Sequence, residues 1–237
     1  IVDLVDRPEL KYPRFSHGMP DVLREAPSIF DVLDTTDVLL HHPYQSFAPT
    51  MDMVRHAARD PDVLAIKQTL YRTEDESEIV DALIDAARAG KAVTVLIELR
   101  ARFDEANNIK LATRLQQAGA NVVYGVVGYK VHGKALMIVR RMGDGIRRYV
   151  HLGTGNYHAG TARVYTDFGL MSSDPELGED LHRLFLQVAG LGAAPQMKTL
   201  IQAPFHLADR MNDFIEDEIK VAQQGREAWI RARMNSL

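Results

Sequence analysis

The chain contains no cysteine, which excludes a disulfide framework and any thiolate metal site. It has no apolar run approaching the ~20 residues that a membrane-spanning helix needs, and no signal peptide is recognisable. The formal net charge of −4 argues against a general nucleic-acid binder. The lack of cysteine is compatible with a reducing compartment such as the cytosol.

What remains is a chain of 237 residues with 46% hydrophobic residues, enough for one large domain or one domain with appendages. Its first residue is Ile1 rather than Met, and it stops abruptly after the segment 234–237. We expect it to be an excised piece of a longer protein. No full-length internal repeat and no low-complexity tract is visible.

The most informative stretch is residues 131–156, which contain Val-His-Gly-Lys at 131–134 and His-Leu-Gly-Thr-Gly-Asn at 151–156. The apolar run 135–139 predicts one strand, Asp144-Gly145 predicts a type I′ turn, and residues 147–152 predict the returning strand. If the turn closes at Asp144-Gly145, opposed residues sum to about 289 in numbering, since register follows from the turn. That register places Lys134 opposite Gly155 and brings His132 and Asn156 to one end of the hairpin.

This combination of side chains suits phosphoryl chemistry. The imidazole of His132 is a competent nucleophile near neutral pH, and the Lys134 ammonium is a point charge for a phosphoryl oxygen. Gly153 and Gly155 allow backbone N–H groups to approach an anion closely. A solvated hairpin with a surface histidine is the plain alternative, and the Gly-Thr-Gly-Asn segment at matching register favours function.

A βαβαβ rhythm precedes the hairpin and predicts a parallel sheet with right-handed crossovers. Strands are expected at 63–71, 93–99 and 121–124, and helices at 47–59, 77–89 and from 104 or 105 to 118. The hairpin must join this sheet with its first strand, 132–140, antiparallel to its neighbours. The predicted fold class is therefore α/β, a mixed sheet flanked by helices.

Two arginines follow predicted strands of the parallel part. Arg72 and Arg102 both fall where ligands bind in open parallel sheets, beyond the carboxyl ends of the strands. Two guanidinium groups there make a fork for phosphate oxygens. Ion pairs with the acidic side chains that follow are the alternative, namely Glu74, Asp75 and Asp104.

The rest of the chain carries weaker signals. Adjacent His41 and His42 resemble metal ligands, but no second ligand pair has a suitable spacing, so packing or a phosphate contact is preferred. Tyr165, in a predicted strand at 164–170, either stacks on a base, bonds a phosphate or is a core aromatic residue. Helices are expected at 175–188 and 205–224, and a lone strand at 229–234.

At this point the sequence resembles a known family. The quoted hairpin motifs look like half of a phospholipase D-type site. Five segments in order resemble the first carboxy-terminal domain of bacterial polyphosphate kinase: LLHHPYQSF (39–47), AIKQTLYRT (65–73), ELRARFDEANNI (98–109), RRYVHLGTGNY (147–157) and TARVYTDFGL (161–170). The resemblance implies a connector at 1–37, a phospholipase D-like catalytic domain at 38–225 and the start of a missing second domain at 226–237.

The resemblance also implies roles for single residues. His132 would be the phosphohistidine intermediate, assisted by Lys134 and Asn156. Tyr165 would contact the nucleotide, and Arg72 and Arg102 would grip phosphates that hold Mg²⁺, because a cationic guanidinium is a poor magnesium ligand. The implied reaction is reversible transfer of the ATP γ-phosphate to polyphosphate, leaving ADP.

The implied partners are ATP or ADP, polyphosphate and the remaining domains of the same chain, with no nucleic acid and no transmembrane segment. A homo-oligomeric enzyme in the bacterial cytoplasm is expected, with peripheral membrane contact left open. Since the second half of the site is absent from this chain, we expect the fragment alone to be nearly inactive. The rival interpretations are a phospholipase D-type phosphodiesterase or nuclease that completes its site as a dimer, and a non-catalytic phosphate-binding or assembly module.

Overall fold

A computed structural model of the chain describes residues 7–13, 15–71, 77–98, 105–125, 128–129, 131–143, 145–191 and 196–232, with the backbone only at 105 and 106. The strands are β1 (Val38–His42), β2 (Val63–Leu70), β3 (Ala92–Ile97), β4 (Asn121–Val123), β5 (Lys134–Met142), β6 (Gly145–Gly153) and β7 (Asp167–Ser172). The helices are a 3₁₀ turn (Pro8–Leu10), α1 (Asp21–Arg24), α2 (Ile29–Leu33), α3 (Ala48–Arg59), α4 (Glu78–Arg88), α5 (Glu105–Gln117), α6 (Ala159–Ala162), α7 (Pro175–Val188) and α8 (Leu207–Gln223).

All seven strands form one mixed sheet in the order β1-β7-β6-β5-β2-β3-β4. β2, β3 and β4 are parallel, whereas β5 runs antiparallel to both of its neighbours, β2 and β6. This arrangement confirms the predicted α/β class with a parallel βαβαβ unit and an antiparallel hairpin. Because β5 is reversed, its first residues lie beside the carboxyl end of β2, where ligands of parallel sheets bind.

The hairpin register differs from the predicted one. Lys134 pairs with Gly153 rather than Gly155, and Met142 pairs with Gly145, so opposed residues sum to 287. The predicted turn residue Asp144 lies outside the described residues. A shift of two positions moves no side chain to the other face, since alternation along a strand has a period of two. The error therefore leaves Lys134 at the open end of the hairpin.

The sheet separates two apolar clusters. One face is covered by α2 to α5, with fully buried Leu40, Met53, Ile66, Leu83 and Leu136 among its members. The other is covered by α7, whose Leu177, Leu181 and Phe185 pack on Met137 and Val150. Most hydrophobic burial thus lies on the α2–α5 face, and the sheet is held between helices on both sides.

Several predicted bounds need correction. The strand predicted at 164–170 begins only at Asp167, so Val164 and Tyr165 precede it. No strand is assigned to residues 229–232, the described part of the predicted strand 229–234. Helix α7 has its predicted bounds, and the Asp174 carboxylate accepts the N–H groups of Glu176 and Leu177 at its start.

Helix α8 buries none of its residues. Leu207, Met211 and Phe214 are at least 41% exposed on it, at the spacing of one helix face. Across the described ranges, no helix combines the length and apolar character needed to cross a bilayer. The domain boundaries proposed at 37/38 and 225/226 stay predictions.

Candidate functional site

His132 lies in the three-residue segment directly before β5, and its side chain is exposed. Lys134, the first residue of β5, turns back towards it: the ammonium Nζ donates to the His132 carbonyl at 2.7 Å. The same Nζ lies 3.0 Å from Nδ1 and 2.9 Å from Nε2 of the ring. An ammonium that donates to a ring nitrogen needs an unprotonated acceptor there, so this contact suits a neutral imidazole.

Tyr71 forms the third side of this group. It follows the last residue of β2, and its ring meets the His132 ring edge-on at a centroid distance of 5.4 Å. The Lys134 ammonium lies 5.4 Å from the centre of the same Tyr71 ring, within the range of a cation–π contact. The carboxyl end of β2 and the start of β5 therefore meet at His132, as the reversed strand requires.

The Lys134 ammonium loses its proton at a lower pH than an ordinary lysine does. Its side chain is largely buried, with 6% of the residue exposed, and desolvation lowers its pKa to about 8, partly opposed by the negative charge of Asp167. The ammonium is therefore still charged at pH 7 and loses its proton as the pH rises through 8. A bound phosphate would favour the charged form further.

The glycines of the Gly-Thr-Gly-Asn segment allow close packing. A Cβ atom at Gly155 would lie 2.4 Å from Oδ2 of Asp167, and one at Gly153 would lie 3.2 Å from the His151 ring. The Thr154 hydroxyl donates to Oδ1 of Asp167 at 2.8 Å and accepts the Phe168 N–H at 2.9 Å. This network fixes the segment against the start of β7 and places a carboxylate within electrostatic range of Lys134.

Of the remaining predicted site residues, the structure describes Asn156 and Tyr165. Asn156 is partly buried three residues after the partner of Lys134, and its backbone carbonyl accepts the His158 N–H at 2.8 Å. Tyr165 is 63% exposed after α6, so its ring is not a core residue. Arg72 and Arg102 lie outside the described residues. Their roles, like those of His132, Lys134 and Asn156, stay predictions.

Sequence reasoning overlooked three residues that build this region: Tyr71, Glu98 and Asp167. Glu98 follows β3, is 9% exposed, and accepts the Val131 N–H on Oε2 at 3.1 Å. Its backbone carbonyl accepts the Asn108 amide at 2.9 Å. Tyr71 and Glu98 each follow a strand of the parallel unit directly, so the strand-end rule that singled out the arginines would have found them.

The second histidine of the hairpin has a different environment. His151 is 2% exposed; its Nδ1 lies 2.9 Å from the Tyr157 hydroxyl and its Nε2 lies 3.4 Å from the Thr50 hydroxyl. Burial, together with the nearby His42, lowers the pKa of His151 to about 3. The ring is therefore neutral, enclosed and occupied at both nitrogens.

The adjacent pair His41 and His42 is used for packing. The His41 ring stacks on Phe168 at a centroid distance of 4.5 Å, and Nδ1 of the buried His42 lies 2.9 Å from the Gln45 carbonyl. In the part of the chain that the structure covers, no three His, Asp or Glu side chains are arranged to hold a metal ion.

The sequence and the fold of this chain are similar to those of known proteins. The family model described as "Polyphosphate kinase C-terminal domain 1" matches residues 28–194. A polyphosphate kinase from Xylella fastidiosa (strain 9a5c) is 57% identical over 237 residues, which make up 100% of this chain and 34% of that protein. The chain thus spans about a third of the length of that relative.

A solved polyphosphate kinase structure agrees with this. The crystal structure of polyphosphate kinase from Porphyromonas gingivalis aligns with a TM-score of 0.83 and 34% identity, over 92% of this chain and 36% of that one. Nuc from Salmonella typhimurium, a phospholipase D family member, aligns over 68% of this chain and 99% of its own, with 14% identity and a TM-score of 0.47.

Proposed function

Because the chain belongs to the polyphosphate kinase C-terminal domain 1 family, we propose that it supplies the phosphoryl-accepting half-site of a polyphosphate kinase. The nucleophile is His132. One observation carries the proposal: an exposed imidazole at the mouth of the parallel strands, with the Lys134 ammonium within 3.0 Å of its ring. An accessible ring beside a cation is what in-line attack on a phosphoryl group requires.

The reaction consists of two phosphoryl transfers. A ring nitrogen of neutral His132 attacks the γ-phosphorus of ATP, an N–P bond forms, the bond to the bridging oxygen breaks, and ADP leaves. A terminal phosphate oxygen of polyphosphate then attacks the phosphohistidine, the N–P bond breaks, and the imidazole is regenerated. Lys134 stays protonated below pH 8 and neutralises charge on the transferred oxygens throughout.

Further contacts are assigned from the sequence motifs of the family and from the exposure of Tyr165. We assign the phosphate grip to Arg72 and Arg102, nucleotide contact to the exposed Tyr165, and assistance at the hairpin end to Asn156. Glu98 is a positioning residue, because it fixes the N–H of the residue before His132. The Thr154 hydroxyl ties the adjoining segment to the start of β7, because it donates to Asp167 and accepts the Phe168 N–H.

Mg²⁺ fits this proposal as an ion held through substrate phosphates. The described residues offer no three-carboxylate or histidine cage, and magnesium in kinases commonly keeps several waters and binds substrate phosphates with few protein ligands. When bound, it neutralises charge on the phosphate oxygens. The protein's contribution here is the cationic surroundings of those phosphates.

This chain spans 34% of the length of its Xylella relative. We propose that the remaining domains supply the other half of the site and that this chain alone is nearly inactive. One positioned acid–base group is typically worth ~10²–10⁴ in rate, so loss of several groups removes useful turnover. A coupled ATP assay on the chain alone would contradict this if its rate approached that of the intact enzyme. A homo-oligomeric, cytoplasmic enzyme stays a prediction.

The nucleophile is tested by labelling the intact polyphosphate kinase with [γ-³²P]ATP. We expect an acid-labile phosphohistidine in the parent protein and none in His132→Ala. His56→Ala is the matched control, because His56 is an exposed histidine on α3 and has no place in the proposed site. Undiminished acid-labile label in His132→Ala would refute the assignment.

A further inference from the structure

A group of basic side chains lies on the sheet face that α7 covers. We call it the cationic cluster; its members are Lys67 on β2, Arg148 on β6, and His182 and Arg183 on α7. Lys67 pairs across strands with Met137, and Arg148 pairs with Val139. Directly paired residues share a face, and Met137 and Val139 belong to the α7-side apolar cluster.

This face is opposite to that of Lys134. Lys134 alternates with Ala135, which belongs to the α7-side cluster, and Leu136 belongs to the core on the other side. Side chains one position apart on a strand point to opposite faces. Lys67 also lies three residues before the end of β2, whereas Tyr71 at that end contacts His132. The cationic cluster is therefore separate from the proposed phosphoryl-transfer site.

Helix α7 approaches the cluster closely. A Cβ atom at Gly178 would lie 2.9 Å from Cβ and 3.4 Å from Cδ of Arg148, so glycine is needed for the helix to lie there. The consequence is that Arg148 is pressed between helix and sheet. Its Nε is buried and has no hydrogen-bond acceptor among the residues that the structure describes. A buried guanidinium N–H without an acceptor carries a desolvation cost.

The cluster has more positive than negative charge. Glu179 is its acidic member, with Oε2 3.5 Å from Nη1 of Arg148 and Oε1 3.1 Å from Nε of Arg183. Lys67 makes no ion pair or side-chain hydrogen bond within the described ranges, and its pKa is lowered by burial and by the charge of Arg148. Burial, then Lys67 and Arg148, likewise lower the pKa of His182. These cations are close enough to repel one another.

Arginines on the other face of the sheet are paired with carboxylates. Arg147, the neighbour of Arg148, pairs with Asp34 at 2.6 Å, and Arg140 pairs with Asp60 at 2.8 Å. Each has its own carboxylate, whereas Arg148 and Arg183 share Glu179 and Lys67 has none among the described residues. The imbalance on the α7 side is therefore local and not a general property of the sheet.

We propose that the cationic cluster binds a phosphoryl oxyanion at a second site, on the α7-covered face of the sheet, which is opposite to the face of Lys134. The free N–H of Arg148 and the ammonium of Lys67 are the donors, and His182 closes the site from α7. A guanidinium and an ammonium together suit a tetrahedral oxyanion with several acceptor oxygens. That the oxyanion is a group of a polyphosphate chain rests on the proposed function; free phosphate has the same chemistry.

The test is NMR titration of the assigned His182 imidazole in this chain, with tripolyphosphate, inorganic phosphate and ATP added separately at constant ionic strength. We expect a saturable shift with tripolyphosphate, at least about tenfold weaker in Lys67→Gln/Arg148→Gln because two charge-assisted contacts are lost. Saturation by inorganic phosphate at equal affinity would identify free phosphate as the ligand class. A His182 signal that none of the three probes shifts would overturn the proposal.

Matched variants separate this site from others. Arg147→Gln removes the same charge from the adjacent position on the opposite face and should leave the His182 titration unchanged. His132→Ala should also leave it unchanged, so a failure of the phosphohistidine assignment and a failure of this proposal are distinguishable. Equal weakening by Arg147→Gln would show non-specific attraction and refute the site.

A measurement without substitutions covers the case in which the double variant does not fold. Lys67 acetylation by acetic anhydride is followed by mass spectrometry in the unmodified chain, with and without tripolyphosphate. Bound oxyanion should slow Lys67 acetylation at least about fivefold, corresponding to ~80% occupancy, and leave exposed Lys110 on α5 unaffected. Equal rates at Lys67 with and without the probe would refute the proposal.

Discussion

His132 and His151 belong to one hairpin but have opposite environments. His132 precedes β5, is exposed, and has the Lys134 ammonium beside its ring. His151 lies within β6, is 2% exposed, and has hydroxyl groups at both nitrogens. Both rings are suited to a neutral state, but only His132 can reach a phosphoryl donor without unfolding. Access of the ring to solvent and substrate, rather than residue type or motif, therefore separates a nucleophile from a structural histidine.

The reason lies in where each histidine falls on the sheet. His151 is paired with Leu136 in the middle of the sheet, and a Cβ atom at Gly169 of β7 would lie 2.7 Å from its Nε2. Burial disfavours the charged ring, and each ring nitrogen must therefore find a neutral partner. His132 precedes Lys134, the first paired residue of β5, and no strand of the described residues pairs with it, so its side chain is exposed.

The largest expected difference between the two histidines is in chemical reactivity. Diethyl pyrocarbonate acylates neutral, accessible imidazoles, so His132 should react ~10³-fold or more faster than His151, which must wait for an opening of the fold. Site-resolved mass spectrometry of the chain at pH 7 measures both rates in one sample. Comparable rates at the two positions would show that His132 and His151 do not differ in access.

Acid stability should report the buried ring. The folded pKa of about 3 is below the ordinary value of 6.5, so the unfolded chain binds a proton that the folded chain does not. The stabilising effect is complete above pH 6.5 and is lost as the pH falls from 6.5 towards 3, by about 1.4 kcal/mol per pH unit. Urea unfolding at several pH values measures the slope of the free energy of unfolding against pH. In His151→Gln this slope should be smaller by the contribution of one bound proton. Identical slopes would show that His151 is accessible.

Substitution of two glycines tests the same difference in packing, since Gly169 lies against the His151 ring and Gly133 follows His132 in sequence. Gly169→Ala would force a methyl group to within 2.7 Å of the His151 ring, and we expect a loss of about 1–3 kcal/mol in the free energy of unfolding. Gly133→Ala, adjacent to His132, meets nothing within 4 Å and should change that free energy by less than about 0.5 kcal/mol. Denaturant unfolding of both variants is the measurement, and a larger effect at Gly133 would contradict it.

The smallest effect concerns the charge beside His132. Because the pKa of Lys134 is lowered to about 8, its ammonium is present below pH 8 and is lost as the pH rises above it. The rate of phosphohistidine formation in the intact enzyme should then fall by up to about tenfold per pH unit above 8. Lys134→Arg keeps its charge in this range, so its residual rate should not show that fall. A parent rate that is flat to pH 10 would exclude a role for the ammonium.

Much of the fold could be predicted from local patterns. The apolar run of β3 and the helices that alternate with β2, β3 and β4 predicted a parallel unit, and α7 began and ended as predicted because Asp174 and Pro175 start it unambiguously. The Asp-Gly pair predicted a hairpin, but its register was wrong by two residues, because a turn signal does not specify which residues close the turn. Val164 and Tyr165 were assigned to a strand that begins only at Asp167, since tertiary pairing with β1 and β6 decides where β7 starts.

The candidate site was predicted only in part. The motif residues His132 and Lys134 are two residues apart in sequence and carry their own signal. Tyr71 and Glu98 directly follow β2 and β3, so the strand-end rule points to them. Nothing local to Asp167 indicates that β7 brings it to the same region. Their partnership depends on strand order, which is a property of the whole sheet.

Short-range pattern was enough to predict the family, the alternation of strands and helices, and an imidazole and an ammonium two residues apart. The folded arrangement was needed to show which histidine is exposed, which carboxylate lies near the Lys134 charge, and where unneutralised cations gather beside α7. These are set by burial and by distances between side chains far apart in the chain. Desolvation and Coulomb energies depend on those distances, and no local pattern encodes them.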